Sequence, residues 1–121
     1  MLKDVSEPLY CEHEEKLNQI QNRATELLAQ EIKDLIKKIN TSIDDGSIDE
    51  GIAKAISKGG IEYCVIQINY NPNINYDLAL KDVIKRLKSI YEPTYTVRQA
   101  RSYGGYYQEI WIIFDNACII L

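Results

Sequence analysis

Residues 94–114, TYTVRQARSYGGYYQEIWIIF, decide the fold. They predict two β-strands joined by a tight turn at residues 102–105, because paired glycines suit a hairpin. The second strand carries the only Trp and the only Phe of the chain. Its apolar run, residues 110–114, has apolar side chains on both faces, which is typical of a covered strand. We therefore expect this strand to lie at the centre of the sheet.

Three helices and one strand are expected before the hairpin. Ser47 and Glu50 form a capping-box pattern at the start of the second helix, and Gly59 suits its end. The predicted elements, in chain order, are a long helix over 9–40, a helix over 48–58, a strand over 61–70, a helix over 76–91 and the two hairpin strands.

This order predicts an α+β fold, a two-layer α/β sandwich with the element order α-α-β-α-β-β. A strand–helix–strand crossover is expected to make the first two strands parallel, and the hairpin makes the third strand antiparallel to the second. Because the second strand is polar enough for an edge, we expect a small mixed sheet with strand order 1-3-2, half of a ferredoxin-like arrangement. We expect a single domain over 1–121, with residues 47–121 as its core.

The long first helix is the first candidate contact surface. At its predicted extent it measures about 45 Å, whereas a strand spans only about 20 Å. Its apolar stripe therefore either packs on its own sheet or extends beyond it to a partner or a second copy. A seven-residue repeat fails at Glu31, so a simple left-handed coiled coil is not favoured. The candidate interface residues are Leu17, Ile20, Ala24, Leu27 and Leu28.

Composition bounds the class of protein. The formal net charge is -4, which argues against a general coat for nucleic acid, because such binding needs many cations. An odd count of three cysteines argues against a disulfide framework. No signal peptide or membrane span is expected, which predicts an intracellular, cytoplasmic chain. Ile, Lys, Asn and Tyr are abundant and have A/T-rich codons, which suggests an A/T-rich genome such as that of a virus or phage, with virion as the alternative location.

Catalytic and metal-binding patterns are weak. Cys11, His13, Cys64 and Cys118 could together form a Cys3His zinc set, but no close cysteine pair accompanies them. His13 is better explained as a surface residue. No nucleophile elbow and no glycine-rich phosphate loop occurs. We therefore expect no metal, no cofactor and no enzyme activity.

A metal-dependent nuclease is a further alternative, since it needs converging carboxylates. Three carboxylates lie in or beside the predicted strands, at Glu62, Glu109 and Asp115. Nothing in their spacing requires them to converge on one site.

The hairpin is the second candidate surface. Interleaved cations and flat rings suit single-stranded nucleic acid, and Tyr and Arg are also enriched in protein interfaces. A hairpin without a function explains the same residues, because Tyr favours strands. The candidate binding residues are Arg98, Arg101, Tyr103, Tyr106 and Tyr107.

The expected function is accordingly a small non-enzymatic interaction or assembly protein. Its contact surfaces would be the long helix and the hairpin at 98–107, with a protein partner or a second copy as the expected binding partner. The alternative is a nucleic-acid-binding module that uses the Arg and Tyr residues of the hairpin.

Overall fold

The computed structural model describes residues 2–102 and 104–114, with side chains described from residue 11 onward. The chain divides into two compact units between Asp34 and Leu35. The elements, in chain order, are α1 (Leu2–Asp44), α2 (Ser47–Ser57), β1 (Glu62–Asn69), α3 (Tyr76–Ala79), α4 (Lys81–Tyr91), β2 (Thr96–Ser102) and β3 (Tyr107–Ile113).

In the first unit, the described residues form only a stretch of α1. Every side chain from residue 11 to residue 27 is exposed, and Leu28 is the first that is partly covered. Thr25 donates its hydroxyl proton to the carbonyl of Gln21, and Arg23 pairs with Glu26 at 3.2 Å. The exposed ion pair contributes only about 0.3 kcal/mol to the helix, and the hydroxyl bond to the backbone adds no stability.

The second unit contains the sheet, whose strand order is β1-β3-β2. The predicted α+β class, the order 1-3-2 and the central position of the last strand are confirmed. Both pairings are antiparallel, so the sheet is antiparallel rather than mixed. The reason is the order itself: β1 and β2 run in the same direction, as the crossover predicts, but β3 separates them.

The helices pack on one face of this sheet. Gly51 of α2 lies directly against the Tyr63 ring of β1, and an added Cβ at Gly51 would collide with that ring. The hydroxyl of Tyr91 on α4 donates to Asp49 of α2 at 2.6 Å, which ties the two helices together. The most deeply buried side chains of the unit are Ile39, Ile48, Leu80, Leu87, Ile110 and Ile112.

The last turns of α1 belong to this second unit and are tied to α4 by one arginine. Arg86 donates to the side chain of Asn40 at 2.7 Å and to Asp44 at 2.6 Å. Ile39 is buried beside these contacts. The helix therefore extends four residues beyond its predicted end, through part of what the sequence predicts as a turn.

Two local predictions were wrong. Ser47 does not cap α2, because Gly46 occupies the N-cap with φ +80° and Asp45 accepts both the backbone N–H and the hydroxyl of Ser47. The predicted third helix is interrupted at Leu80, whose φ and ψ of -98° and 4° separate α3 from α4. Asn75 caps α3, since its side chain accepts from the N–H of Leu78 at 3.2 Å.

No helix among the described residues is both long and apolar enough to cross a membrane.

Candidate functional site

The face of the sheet that carries the core becomes polar toward the hairpin turn. Side chains alternate between the faces of a strand, and the register places Val97, Gln99 and Arg101 of β2 on the same face as Ile110 and Gln108 of β3. Arg101 lies directly opposite Gln108. The apolar side chains on this face of the sheet are therefore followed, toward the hairpin turn, by two carboxamides and a guanidinium.

These polar groups line a cavity of about 400 Å³, which we call the hairpin cavity. Its floor is the polar end of the sheet face, and its wall is the segment 70–77, which follows β1 and includes the first residues of α3. The lining side chains on which the site depends are Tyr70, Tyr76, Asp77, Gln99, Arg101 and Gln108.

The two carboxamides have unused hydrogen-bonding capacity. Gln108 is only 5% exposed, and its side chain makes no hydrogen bond among the residues that the structure describes. The Nε2 of Gln99 is buried and also has no partner there. An unpaired buried polar group costs about 1–3 kcal/mol, so the Nε2 of Gln99 is unusual for a protein interior.

The guanidinium of Arg101 is held in place at the rim of the cavity. Its Cζ lies 3.6 Å from the centre of the Tyr70 ring, a cation–π arrangement. Its Nη2 donates to the carbonyl of Gly105 at 3.2 Å. Gly105 has φ +90°, and an added Cβ would lie 2.6 Å from Nη2 of Arg101. The glycine turn therefore also makes room for the arginine.

The wall of the cavity is ordered by its own hydrogen bonds. The backbone N–H of Asn71 donates to the Tyr76 hydroxyl at 2.9 Å, and the N–H of Asn73 donates to the Asn71 side chain at 2.9 Å. The rings of Tyr70 and Tyr76 are tilted against each other with centres 5.6 Å apart. The backbone of Tyr70 is fixed as well, because its N–H donates to the carbonyl of Tyr106 at 2.9 Å.

The opposite face of the sheet is organised around Glu109, which is 2% exposed. Its carboxylate accepts a hydrogen bond from Gln67 Nε2 at 2.6 Å and another from Trp111 Nε1 at 3.1 Å. These contacts join β1 to β3 and tie two neighbouring side chains of β3 together. We call Gln67, Glu109 and Trp111 the carboxylate cluster.

The surroundings of Glu109 favour its charged form. Ser102 makes the largest contribution, and Trp111 and Gln67 add to it, so the pKa of Glu109 lies below its usual value although desolvation opposes this. The buried Ser102 Oγ has no hydrogen bond of standard geometry among the described residues. Its effect on Glu109 is therefore that of a nearby hydroxyl dipole. The carboxylate is stabilised in place and is not prepared to accept a proton.

A second cavity, of about 360 Å³, lies beside α2 and is lined by Asp49, Ile52, Tyr91 and Tyr95 among others. Burial raises the pKa of the Tyr91 hydroxyl, and the hydrogen bond to Asp49 raises it further. The hydroxyl is thus committed to a structural hydrogen bond between helices.

The structure distributes the predicted hairpin residues over different places. Arg101 lines the hairpin cavity. Arg98 pairs with Trp111 in the register and lies on the opposite face, as does Tyr107, which pairs with Ser102. Tyr106 is exposed in the turn. Tyr103 lies outside the described residues. The proposed cluster is therefore not one surface.

Sequence reasoning missed Gln99 and Gln108. Gln99 was expected on the polar edge strand. Gln108 was not distinguished from other polar strand residues. The available signal was the two-residue spacing of side chains on one face of a strand. Gln99 lies two residues from Val97, and Gln108 lies two residues from Ile110, so both belong to the face that carries the core. Both amides were therefore predictable as buried once the register of the hairpin was known.

Metal-ligating side chains do not gather in the described part of the chain, where no group of three or more His, Cys, Asp or Glu could hold an ion. Cys11 is exposed and Cys64 is half-buried, while Cys118 and Asp115 lie outside the described residues. Desolvation and, to a lesser extent, the charge of Glu109 raise the pKa of the Cys64 thiol, which disfavours the reactive thiolate.

No protein-family model matches the chain, and comparisons with curated proteins and with solved structures find no match either.

Proposed function

We propose that this chain is a small non-enzymatic assembly protein that associates with a second copy of itself through α1. The observation that carries the proposal is a set of large apolar side chains left in solvent on a helix: Leu17 is 48% exposed, Ile20 56% and Leu27 54%. Within its unit, this described stretch of helix has no second element to pack against. Most helical stability in proteins comes from packing an apolar face.

The spacing of the stripe indicates the geometry of the pairing. From His13 to Glu31 the steps along the stripe alternate between four and three residues, the a and d positions of a coiled coil. The stripe is symmetric about Asn22 in sequence. Its members, all on one side of the helix, are His13, Leu17, Ile20, Ala24, Leu27 and Glu31.

This symmetry favours antiparallel pairing. In an antiparallel pair, Leu17 faces the second copy's Leu27, and Ile20 faces the second copy's Ala24. His13 then faces the second copy's Glu31 at each end of the apolar centre. Parallel pairing would instead place Glu31 against Glu31 in a partly buried position, which is unfavourable for like charges. The residue at which the heptad pattern fails thus acquires a partner of complementary chemistry.

The expected affinity is modest. Three half-exposed side chains on each of two helices contribute about 6 kcal/mol when they are fully covered. The loss of translational and rotational freedom costs about 4 kcal/mol or more. Association is therefore expected to depend on concentration, with the exposed Tyr106 in the turn of the hairpin as part of a second contact surface. The A/T-rich codon bias is compatible with a viral or phage source and an intracellular or virion location.

A double substitution tests the association. Ile20→Asp with Leu27→Asp should abolish the dimer in sedimentation equilibrium, and the helical signal in circular dichroism should fall. Both side chains are exposed within the chain, so the second unit should stay folded. Asn22→Asp, on the opposite side of the helix, is the matched control and should leave the dimer intact. A wild-type chain that stays monomeric over the whole concentration range contradicts the proposal.

A charge exchange tests the orientation. His13→Glu alone should weaken an antiparallel dimer, because two carboxylates then face each other. Adding Glu31→Lys to that variant should restore it, because each introduced carboxylate then faces an introduced ammonium group. In a parallel dimer the double variant would place carboxylate against carboxylate and ammonium against ammonium, so it would associate no better than His13→Glu. That result would refute the antiparallel arrangement.

A further inference from the structure

We propose that the hairpin cavity binds an unpaired nucleobase, either of a free nucleoside or of a single-stranded nucleic acid. The proposal does not depend on the assembly of α1, because every lining residue belongs to the second unit. A cavity of about 400 Å³ lies within the usual range for small-molecule sites.

The unpaired carboxamides are the first argument. The Nε2 of Gln99 is buried and has no hydrogen-bond partner among the described residues. Gln108, which is 5% exposed, lines the same cavity, and its side chain makes no hydrogen bond to a described residue. A carboxamide presents a donor and an acceptor side by side, which matches the edge of a base in a bidentate way. A ligand of this kind would satisfy the Gln99 amide, which the fold leaves unsatisfied, and would reach the Gln108 amide beside it.

The flat groups at the rim are the second argument. Arg101 lies over the ring of Tyr70 at 3.6 Å, and the residue itself is exposed. The guanidinium is therefore accessible to a planar ring at the rim of the cavity. Bases stack on Arg and Tyr planes in recognition of unpaired nucleotides. The carboxamides at the floor and the stacked planes at the rim together suit a flat heterocycle.

The charge balance favours a neutral group inside the cavity. Asp77 and Arg101 both line it, so one carboxylate offsets the one guanidinium. A phosphate needs several cations for affinity, and the chain carries a net charge of -4. The base therefore occupies the cavity, and any phosphate or further nucleotide lies outside it.

The test is a titration of the full chain, followed in ¹H–¹⁵N spectra, with each of the four ribonucleosides and with short single-stranded homopolymers. At least one base should shift the side-chain amide signals of Gln99 and Gln108. Equal affinity for a nucleoside and its homopolymer identifies a free nucleoside as the ligand, whereas tighter binding of the homopolymer identifies a single strand. Millimolar nucleosides and oligonucleotides that leave both amide signals in place overturn the proposal.

Gln108→Leu tests the role of the buried amide. It should reduce affinity by at least about tenfold, the loss of one good polar contact, while the thermal midpoint stays at or above that of the wild type. Gln67→Leu is the matched control, because it removes a carboxamide that is already paired on the opposite face. That variant should keep its affinity. Equal affinity of Gln108→Leu and the wild type contradicts the assignment.

The two turn glycines test the role of Arg101. Gly104 and Gly105 have φ +70° and +90°, so alanine is strained at both. Only at Gly105 does the new Cβ collide with Arg101, since the nearest atom to a Cβ at Gly104 is 3.8 Å away on Tyr106. Gly105→Ala should weaken base binding and Gly104→Ala should not. Equal effects of the two variants refute the positioning of Arg101.

Neutral disaccharides are the competing class of ligand, because amide side chains and aromatic rings also bind sugars. Shifts of the Gln99 and Gln108 amides by a disaccharide, without shifts by any base, overturn the nucleobase assignment.

Discussion

Glu109 and Gln108 are neighbours on β3 and are almost equally buried, yet they lie on opposite faces of the sheet. They also differ in their hydrogen bonding. Glu109 accepts hydrogen bonds from Gln67 and Trp111. Gln108 has no side-chain partner among the described residues and borders a cavity. The carboxylate cluster is thus complete within the chain, whereas the hairpin cavity has polar groups available for another molecule.

The difference shows that burial alone does not separate a structural polar residue from a binding residue. A buried polar group with its partners contributes a net stabilisation, whereas one without partners costs stability. Proteins depart from good local packing mostly at functional sites. The state of pairing, and not the depth of burial, therefore distinguishes the two faces, and three measurements test that distinction.

The largest effect is expected on the paired face. Glu109→Ala removes the acceptor of Gln67 and Trp111, and it should lower the free energy of unfolding by about 3 kcal/mol. Urea denaturation followed by Trp111 fluorescence measures the loss. Glu62→Ala, an exposed carboxylate on β1, is the control and should change stability by no more than about 0.5 kcal/mol. Similar losses for both variants would mean that the cluster is not a structural unit.

A smaller effect, of opposite sign on the two faces, is expected from removing one carboxamide from each. Gln67→Leu should lower the free energy of unfolding by about 1 kcal/mol, because Glu109 loses a charge-assisted hydrogen bond. Gln108→Leu should raise it by up to about 1 kcal/mol in the absence of ligand, because an apolar side chain replaces a polar one that makes no hydrogen bond to a described residue. Destabilisation by both variants would show that the two faces do not differ.

The smallest effect is a dependence on pH that arises from Glu109. Its pKa in the folded chain is lowered from the ordinary value of 4.5, so the unfolded chain binds the proton more readily. The resulting stabilisation is complete above about pH 4.5 and is lost as the pH falls through the lower pKa of the folded chain. Denaturation of wild type and Glu109→Gln between neutral and acidic pH measures it. The variant should show the shallower decline, and identical slopes would exclude Glu109 as the source.

Patterns of apolar residues made the architecture predictable. The run from Ile110 to Phe114 predicted the central strand, because an apolar residue at every position requires cover on both faces. The structure covers Ile110, Ile112 and Phe114 fully and Trp111 partly. The stripe of α1 was predicted from the same kind of pattern, and the exposure of Leu17, Ile20 and Leu27 agrees with an uncovered surface.

The hairpin cavity was not predictable in the same way, because it depends on pairing between distant residues. Gln99 and Gln108 are ordinary strand residues until the register assigns them to the face that carries the core. The segment that closes the cavity, residues 70–77, is recognisable from its asparagines as a turn. Its position over the sheet, however, follows from tertiary contacts such as the hydrogen bond from Asn71 to the Tyr76 hydroxyl.

The turn between β2 and β3 has a consequence for how this chain can vary in length. Because neighbours along β3 point to opposite sides, a single-residue insertion that shifted β3 by one position would turn Glu109 toward the cavity and Gln108 toward Gln67. The carboxylate cluster would then lose its hydrogen bonds, and the hairpin cavity would lose its carboxamide. An insertion of two residues would restore the alternation. Insertions that shift β3 along β2 can therefore occur only in even steps if both faces are to be kept.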